Sequence, residues 1–429
     1  MPLTTKGLWF KPEYGSYVQC KYSLPDTFPE MTKYLSMMVW FKPLKIPQTS
    51  GLVVHYWYAW ARLSIEGIPT YFRMPVWNTE GTVLHYVVPQ TLEAGKEYCG
   101  AATYNYEGKA RLWLFWDDGE AYNEGDAIGE LSSTTTPLGF GQWVGTGKFS
   151  FYGQIWRFLA YNRELSEEEI RWNYENPTNP IRDGLVTWID MSRGWGSKVV
   201  DHSGYGNHGK IVNARWIVEE QSGLWFNPSL LSYVQVPYIF DPSTTDWTLA
   251  ILFKCEAKPT MVEQDMILFG QQGGTGTGRN WMYVNYVTGE LTSYLGGVAS
   301  GSDIYVYDGQ WHLAVLRHTV ASGSINWWVD GDYGVENTIA IEPANGNYII
   351  GKHQNPTMAM YFRGMIKSVW LWKSFVDDND LWQLYLNPDD PPAKENLVLW
   401  LPMTKRCGNI VIDRSGYGNH GKIVNAEWV

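Results

Sequence analysis

Asp201 and Asp413 sit where the chain most invites chemistry. Each opens the string Asp-x-Ser-Gly-Tyr-Gly-Asn-His-Gly. A carboxylate is a hard oxygen ligand of the kind calcium takes, so calcium is the one cofactor that these residues suggest. The same string also suits a structural turn. Asp accepts backbone N–H bonds, glycine permits positive φ, Asn tolerates the left-handed region, and His can pack or cap. The turn is the more economical reading. The second set is aromatic: Tyr56, Trp57, Tyr58 and Trp60 in one region, Trp281, Tyr283 and Tyr286 in another. Aromatic rings stack on the apolar faces of sugars, which makes these seven residues candidate ligand contacts. Alternating Trp in strands also fills cores, and both readings stand.

The elements that must position these residues are repeated. Asp201 to Trp216 recurs as Asp413 to Trp428, with only His202→Arg414 and Arg215→Glu427 changed. Gly7-Leu8-Trp9-Phe10 with Tyr17-Val18-Gln19 returns as Gly223-Leu224-Trp225-Phe226 with Tyr233-Val234-Gln235. Phe41-Lys42 returns as Phe253-Lys254, and Asp118-Gly119 as Asp330-Gly331. Two copies of one unit are expected, over residues 1–218 and 219–429. Each copy is a series of short strands between Gly, Asn, Asp and Pro turns. Tyr34 to Phe41 and Trp247 to Phe253 have the length and apolarity of buried strands, so Val39, Phe41, Ile251 and Phe253 are expected in the core. Arg111 to Trp116 and Ile325 to Val329 are Trp-rich strands running into Asp-Gly hairpin signals. Ser166 with Glu169, and Asp377 with Asp380, have capping spacing and predict one short helix late in each copy. The fold class is all-β: two tandem antiparallel β-sandwiches.

Composition narrows the function. There are 33 Lys and Arg against 44 Asp and Glu, a net charge of −11, with no basic stripe. Nucleic acid and anionic membrane are therefore poor partners. No apolar run is long enough to span a bilayer, and Met1 to Lys6 shows no secretory h-region. The 24 Trp and 28 Tyr exceed what a core requires, so rings are expected at surfaces, grooves or interfaces. Cys20, Cys99, Cys255 and Cys407 have no counterparts between copies; buried or surface thiols are favoured over a disulfide.

The order Leu-x-x-Trp, Asp-x-Ser-Gly-Tyr-Gly-Asn-His-Gly, Gly-Leu-Trp-Phe, Tyr-Val and a strand ending Phe-Lys resembles the laminin-G-like, concanavalin A-like jelly rolls. Trp311-His312-Leu313 and the Gly-x-Ile of Gly153-Gln154-Ile155 and Gly364-Met365-Ile366 extend the resemblance over nearly the whole chain, twice. It implies two curved sheets per copy, extracellular binding of glycans or proteins, and in many members a calcium ion at the rim. The Ser-Gly-Tyr-Gly-Asn-His-Gly style is also similar to versions common in archaea and their viruses. The chain departs from the family pattern at Trp156 and Lys367, where Asp or Asn is usual.

Glucanases that share this fold carry carboxylates at alternating strand positions. The nearest match, Glu124-Gly125-Asp126 with Glu130, contains glycine and lacks apolar alternation, so a solvated loop is expected there. The expected function is therefore non-enzymatic: a lectin-like binding and structural protein of a virion surface, coat or host-attachment. A secreted or cell-surface carbohydrate-binding adhesin and a glycan hydrolase are the alternatives. The expected partners are a glycan or glycoprotein on a cell surface, and other coat subunits or copies of itself. Three closures are open: each copy takes the segment that follows it, Leu185 to Trp216 or Leu397 to Trp428; the C-terminal segment folds back onto copy one; or it completes copy one of a neighbouring subunit. The first is favoured, since first and last strands are neighbours in such sandwiches.

Overall fold

The computed structural model describes residues 7–22, 24–46, 50–55, 62–66, 70–133, 135–142, 150–192, 196–217, 222–256, 264–272, 279–355, 357–404 and 408–429. Its contacts separate into two compact units, Met1–Gly194 with Lys198–Glu219, and Trp195–Ser197 with Glu220–Val429.

Each unit is an antiparallel β-sandwich. In the first, one sheet runs in the order Gly119–Asp126, Lys109–Trp116, Tyr98–Asn105, Tyr34–Pro43, Gly153–Tyr161. Leu185–Asp190 and Gly7–Phe10 then share the far side of Gly153–Tyr161. The opposing sheet runs Lys198–Asp201, Gly209–Val212, Tyr17–Cys20, Gly139–Phe140, Ser50–His55, Leu63–Glu66, Tyr71–Trp77, Val83–Thr91. The second unit repeats the first sheet as Asp332–Tyr333, Ser324–Val329, Trp311–Thr319, Trp247–Cys255, Gly364–Trp372, with Leu224–Phe226 and Leu397–Pro402 on the far side. Its opposing sheet runs from Val298–Tyr305 to Ile410–Val411.

Period-two alternation decides the interiors. Val39 and Phe41, and Ile251 and Phe253, are fully buried between the sheets. Closure is local in both units. Leu8 pairs with Trp216 and Leu224 with Trp428, while Val18 pairs with Ile211 and Val234 with Ile423. Each unit thus covers its first strands with the segment that follows it.

One helix lies late in each unit, Glu167–Glu175 and Asp378–Leu386. Ser166 accepts from the Glu169 N–H while Glu169 reaches back to the Ser166 N–H, a complete capping box. Asp377 accepts from the Asp380 N–H in the same place. The first helix sets Ile170 on the outer face of the first sheet, over a cluster holding Trp40, Trp113, Phe115, Trp156 and Trp188. The second seats Trp382 and Tyr385 against the ring of Trp328. This second apolar layer takes up much of the Trp excess outside the sandwich core proper. Exposed rings, mostly tyrosines such as Tyr122, Tyr205, Tyr305, Tyr333 and Tyr417, do lie at the surface as expected. Cys20, Cys99 and Cys255 are buried free thiols whose pKa values burial pushes up. Cys407 lies outside the described residues.

Candidate functional site

Asp201 and Asp413 form hydrogen-bonded turns. Asp201 Oδ1 accepts from the N–H groups of Trp188 (2.9 Å) and Ser203 (3.0 Å), and Oδ2 from Ser203 Oγ (2.8 Å) and the Asn207 N–H (2.9 Å). Asp413 repeats this with Trp400, Ser415 and Asn419 at 2.8–2.9 Å. His208 and His420 each accept the Asp backbone N–H on Nδ1 at 3.1 Å. Burial lowers the His208 pKa to about 4, which keeps that nitrogen free to accept. Gly204, Gly206, Gly416 and Gly418 all have positive φ.

Four protein donors occupy each carboxylate. Calcium needs six to eight oxygens, and among the described residues no cluster of three or more acidic, His or Cys groups could hold a metal. The motif residues do not fit the ion. Accordingly, Asp201→Ala should cost about 3 kcal/mol by stranding buried donors. Thermal melts of the native chain with calcium and with chelator should superimpose; a chelator-dependent shift abolished by the substitution would restore the metal reading.

The aromatic candidates divide. Tyr56, Trp57, Tyr58 and Trp60 lie outside the described residues. Trp281 is 0% exposed and packs on Trp247, with ring centroids 4.3 Å apart. Tyr283 is buried, and desolvation pushes its hydroxyl up to about 12. Among the described candidates, Tyr286 alone keeps an accessible ring, 38% exposed. The physical cause is an irregularity. Pairing with Glu290–Leu295 shifts register between Asn280 and Tyr283, and both Trp281 and Met282 enter the core. A bulge of this kind breaks the alternation that would keep Trp281 and Tyr283 on one face. Trp281 is thus a core residue, not a sugar platform.

Glu124 and Asp126 also depart from expectation. They lie in a strand, Gly119–Asp126, not in a loop. Pairing with Lys109–Trp116 sets Phe115, Trp113, Arg111 and Lys109 opposite Glu120, Tyr122, Glu124 and Asp126. The carboxylates are all ion-paired: Glu120 with Arg171, Glu124 with Arg111 and Lys109, Asp126 with Lys109. The Tyr122 hydroxyl donates to Glu124 at 2.7 Å and holds that carboxyl below its ordinary range. The Arg171 guanidinium does the same for Glu120.

This face holds an open groove of about 390 Å³, lined by Arg111, Trp113, Tyr122 and residues 164–167 at the helix start. Tyr122 is 45% exposed, and its ring centroid stands 5.1 Å from that of buried Trp113. Arg111 bridges Glu124 and Glu164. The second unit brings the same residue types together beside its own helix. Tyr333, 64% exposed, pairs across strands with buried Trp328. Its hydroxyl donates to Asp378 Oδ2 at 2.7 Å, and Arg317 donates to Asp378 Oδ1 at 2.7 Å. Partial desolvation pushes Asp378 up, but the Tyr333 hydroxyl and the guanidinium outweigh it and hold the carboxyl low. An exposed Tyr paired across strands with a buried Trp, a carboxylate and an arginine thus meet at the same place in both units. The carboxylate comes from the strand in one unit and from the helix in the other, so no sequence alignment of the copies reveals the match. The legible signal was a Trp strand, a turn, and then Tyr.

No family model matches this chain, and no curated protein sequence matches it. Solved structures do resemble it. Mouse laminin alpha1 chain domains LG4-5 align with 15% identity over 86% of this chain and 88% of that one, TM-score 0.28. A Bacteroides ovatus protein proposed to bind carbohydrate aligns with 11% identity over 75% and 78%, TM-score 0.39. A heptameric SAP-like pentraxin from Limulus polyphemus aligns with 12% identity over 48% and 94%, TM-score 0.34. At these identities and TM-scores the likenesses carry no argument; strand pairing by itself makes each unit an antiparallel β-sandwich.

Proposed function

We propose that the chain is a non-enzymatic carbohydrate-binding module whose glycan contacts are the Tyr122 groove and the matching Tyr333–Asp378–Arg317 cluster. One observation carries the reading: the same chemical trio is built twice from non-equivalent positions. The chemistry suits a sugar ring. The exposed tyrosine face offers an apolar platform, and the carboxylate and guanidinium offer paired acceptors and donors for vicinal hydroxyls. Ion pairing supports a non-catalytic role. A glycoside hydrolase needs one carboxyl held protonated near neutrality, whereas Glu120, Glu124 and Asp378 are all held low.

The setting we propose is the surface of a virion or cell, as a coat, attachment or adhesin component facing a cell-surface glycan or glycoprotein and packed among coat subunits or copies of itself. That setting rests on the family resemblance. No helix among the described residues is long and apolar enough to cross a membrane.

Binding to a panel of neutral oligosaccharides, followed by ligand-observed NMR, tests these contacts. Tyr122→Ala with Tyr333→Ala should weaken the bound sugars at least tenfold, about 1.4 kcal/mol or more, with the near-UV spectrum unchanged. Each single variant should leave one class of site intact. Unaltered binding in the double variant rejects both sites as the contact.

A further inference from the structure

The two near-identical segments carry more than a turn. Most of their shared residues have a structural reason to be the same. Asp201 and Asp413, with Ser203, Ser415, Asn207, Asn419 and the two histidines, build the turn hydrogen bonds given above. A Cβ on Gly209 or Gly421 would meet Val18 or Val234 at 2.6 or 2.7 Å. Asn213 and Asn425 take positive φ and donate to the carbonyls of Tyr14 and Leu230. Ile211 and Ile423 pack against the cores.

Lys210 and Lys422 have no such reason. Both are exposed, and neither makes an ion pair among the described residues. Register places them on the outer face of the opposing sheet. Lys210 pairs with Gln19, and Val212 with Tyr17; Lys422 pairs with Gln235, and Val424 with Tyr233. Val18 and Val234 point into the cores, so Tyr17, Gln19, Tyr233 and Gln235 point outward. The Tyr, Gln and Lys of this outward patch are therefore identical in the two units, at positions that core packing does not constrain. Each patch also gains a second lysine from a different element. Lys198 pairs with Lys210 in the first unit. In the second, the Lys352 ammonium lies 5.0 Å from the Tyr233 ring centroid. Cationic patches recurring in a chain of net charge −11 run against the overall charge.

We propose that these patches, Tyr17–Gln19–Lys210 and Tyr233–Gln235–Lys422, are a second pair of binding sites, specific for an acidic glycan. Tyrosine supplies a ring face, glutamine an amide for hydroxyls, and the lysines charge for a uronate-type carboxylate. The proposal is independent of the Tyr122 and Tyr333 clusters, whose ligand needs no charge. Two equivalent sites on one chain suit a repeating polymer, for which linked contacts raise avidity.

Native affinity electrophoresis of the full chain in gels containing polygalacturonate, with dextran as the neutral control, tests this. Polygalacturonate should retard the native chain, and added salt should weaken the effect. Lys210→Ala with Lys422→Ala should raise the apparent dissociation constant at least fivefold. Lys→Arg at both positions should restore most of it. Lys45→Ala with Lys394→Ala, a charge-matched control elsewhere, should bind as the native chain does. No retardation of the native chain, equal retardation of the Lys210/Lys422 variant, or loss in the Lys45/Lys394 control overturns the assignment.

Discussion

Replacing His312 by alanine is expected to destabilise the second unit by about 3–5 kcal/mol, the cost of stranding a buried charge. His312 lies between two aspartates, Nδ1 2.8 Å from Asp330 Oδ2 and Nε2 3.0 Å from Asp308 Oδ1. His312 and Asp330 are almost wholly buried, and Asp330 also accepts the Leu313 N–H at 2.8 Å. Desolvation pushes the imidazole pKa down, but bonds to the two carboxylates outweigh it and raise the value to about 10. Desolvation likewise pushes Asp308 up, and its bond to His312 outweighs that and holds it low. The signs then set the pH window. The raised imidazole contributes stability that is fully present below about 6.5 and lost as pH climbs through about 10. The depressed Asp308 contributes stability that is present above its ordinary value of 3.8 and lost as pH falls below it. Calorimetry from pH 3 to pH 11 should show the second unit's transition falling at both ends, with the alkaline fall absent in His312→Ala. The first unit supplies the internal control. Register puts Tyr98 opposite Phe41 where His312 stands opposite Phe253, and the Tyr98 hydroxyl accepts the Glu93 N–H instead. Its transition should not move with the substitution. A loss under about 1 kcal/mol would show that the buried pair is replaceable by solvent.

Deleting residues 396–429 is expected to abolish folding of the second unit and leave the first unit's transition in place. The deletion removes Leu397–Pro402, Ile410–Val411, Gly421–Val424 and Glu427–Trp428. It strips Leu399, Leu401, Met403, Val411 and Ile423 from the core and leaves Leu224–Phe226 without its Glu427–Trp428 partner. Each large apolar side chain lost is worth roughly 1.5–3 kcal/mol, so the five together are comparable to the whole roughly 5–15 kcal/mol stability of an ordinary domain. Two calorimetric transitions should become one. If the first unit's transition vanished instead, the pairing of Leu8 with Trp216 could not be what closes it.

Local chemistry was legible without coordinates. The internal repeat is identity within the string, and the buried alternation of Val39 with Phe41 and of Ile251 with Phe253 and the caps at Ser166 and Asp377 rest on neighbours a few residues away. Such neighbours are present in the string itself. The hairpin signals were also legible, though their geometry differs. Asp330 and Gly331 both take positive φ in a tight turn, whereas Gly119 is already the first residue of its strand.

What the sequence could not determine depends on partners far along the chain. Trp281 enters the core because pairing with Glu290–Leu295 slips by a residue, and no local periodicity encodes a slip. Glu124 and Asp126 become a strand because Arg111 and Lys109 lie opposite them; their glycines and missing alternation argue otherwise in isolation. Trp113 meets Tyr122, and Trp328 meets Tyr333, only once register is set. The carboxylates that complete the two clusters come from different elements, a strand for Glu124 and a helix for Asp378. Composition and spacing can therefore name the kinds of side chain a binding face would use. Which of them share a face is decided by strand register and helix docking, because those alone bring residues distant in sequence within hydrogen-bonding reach.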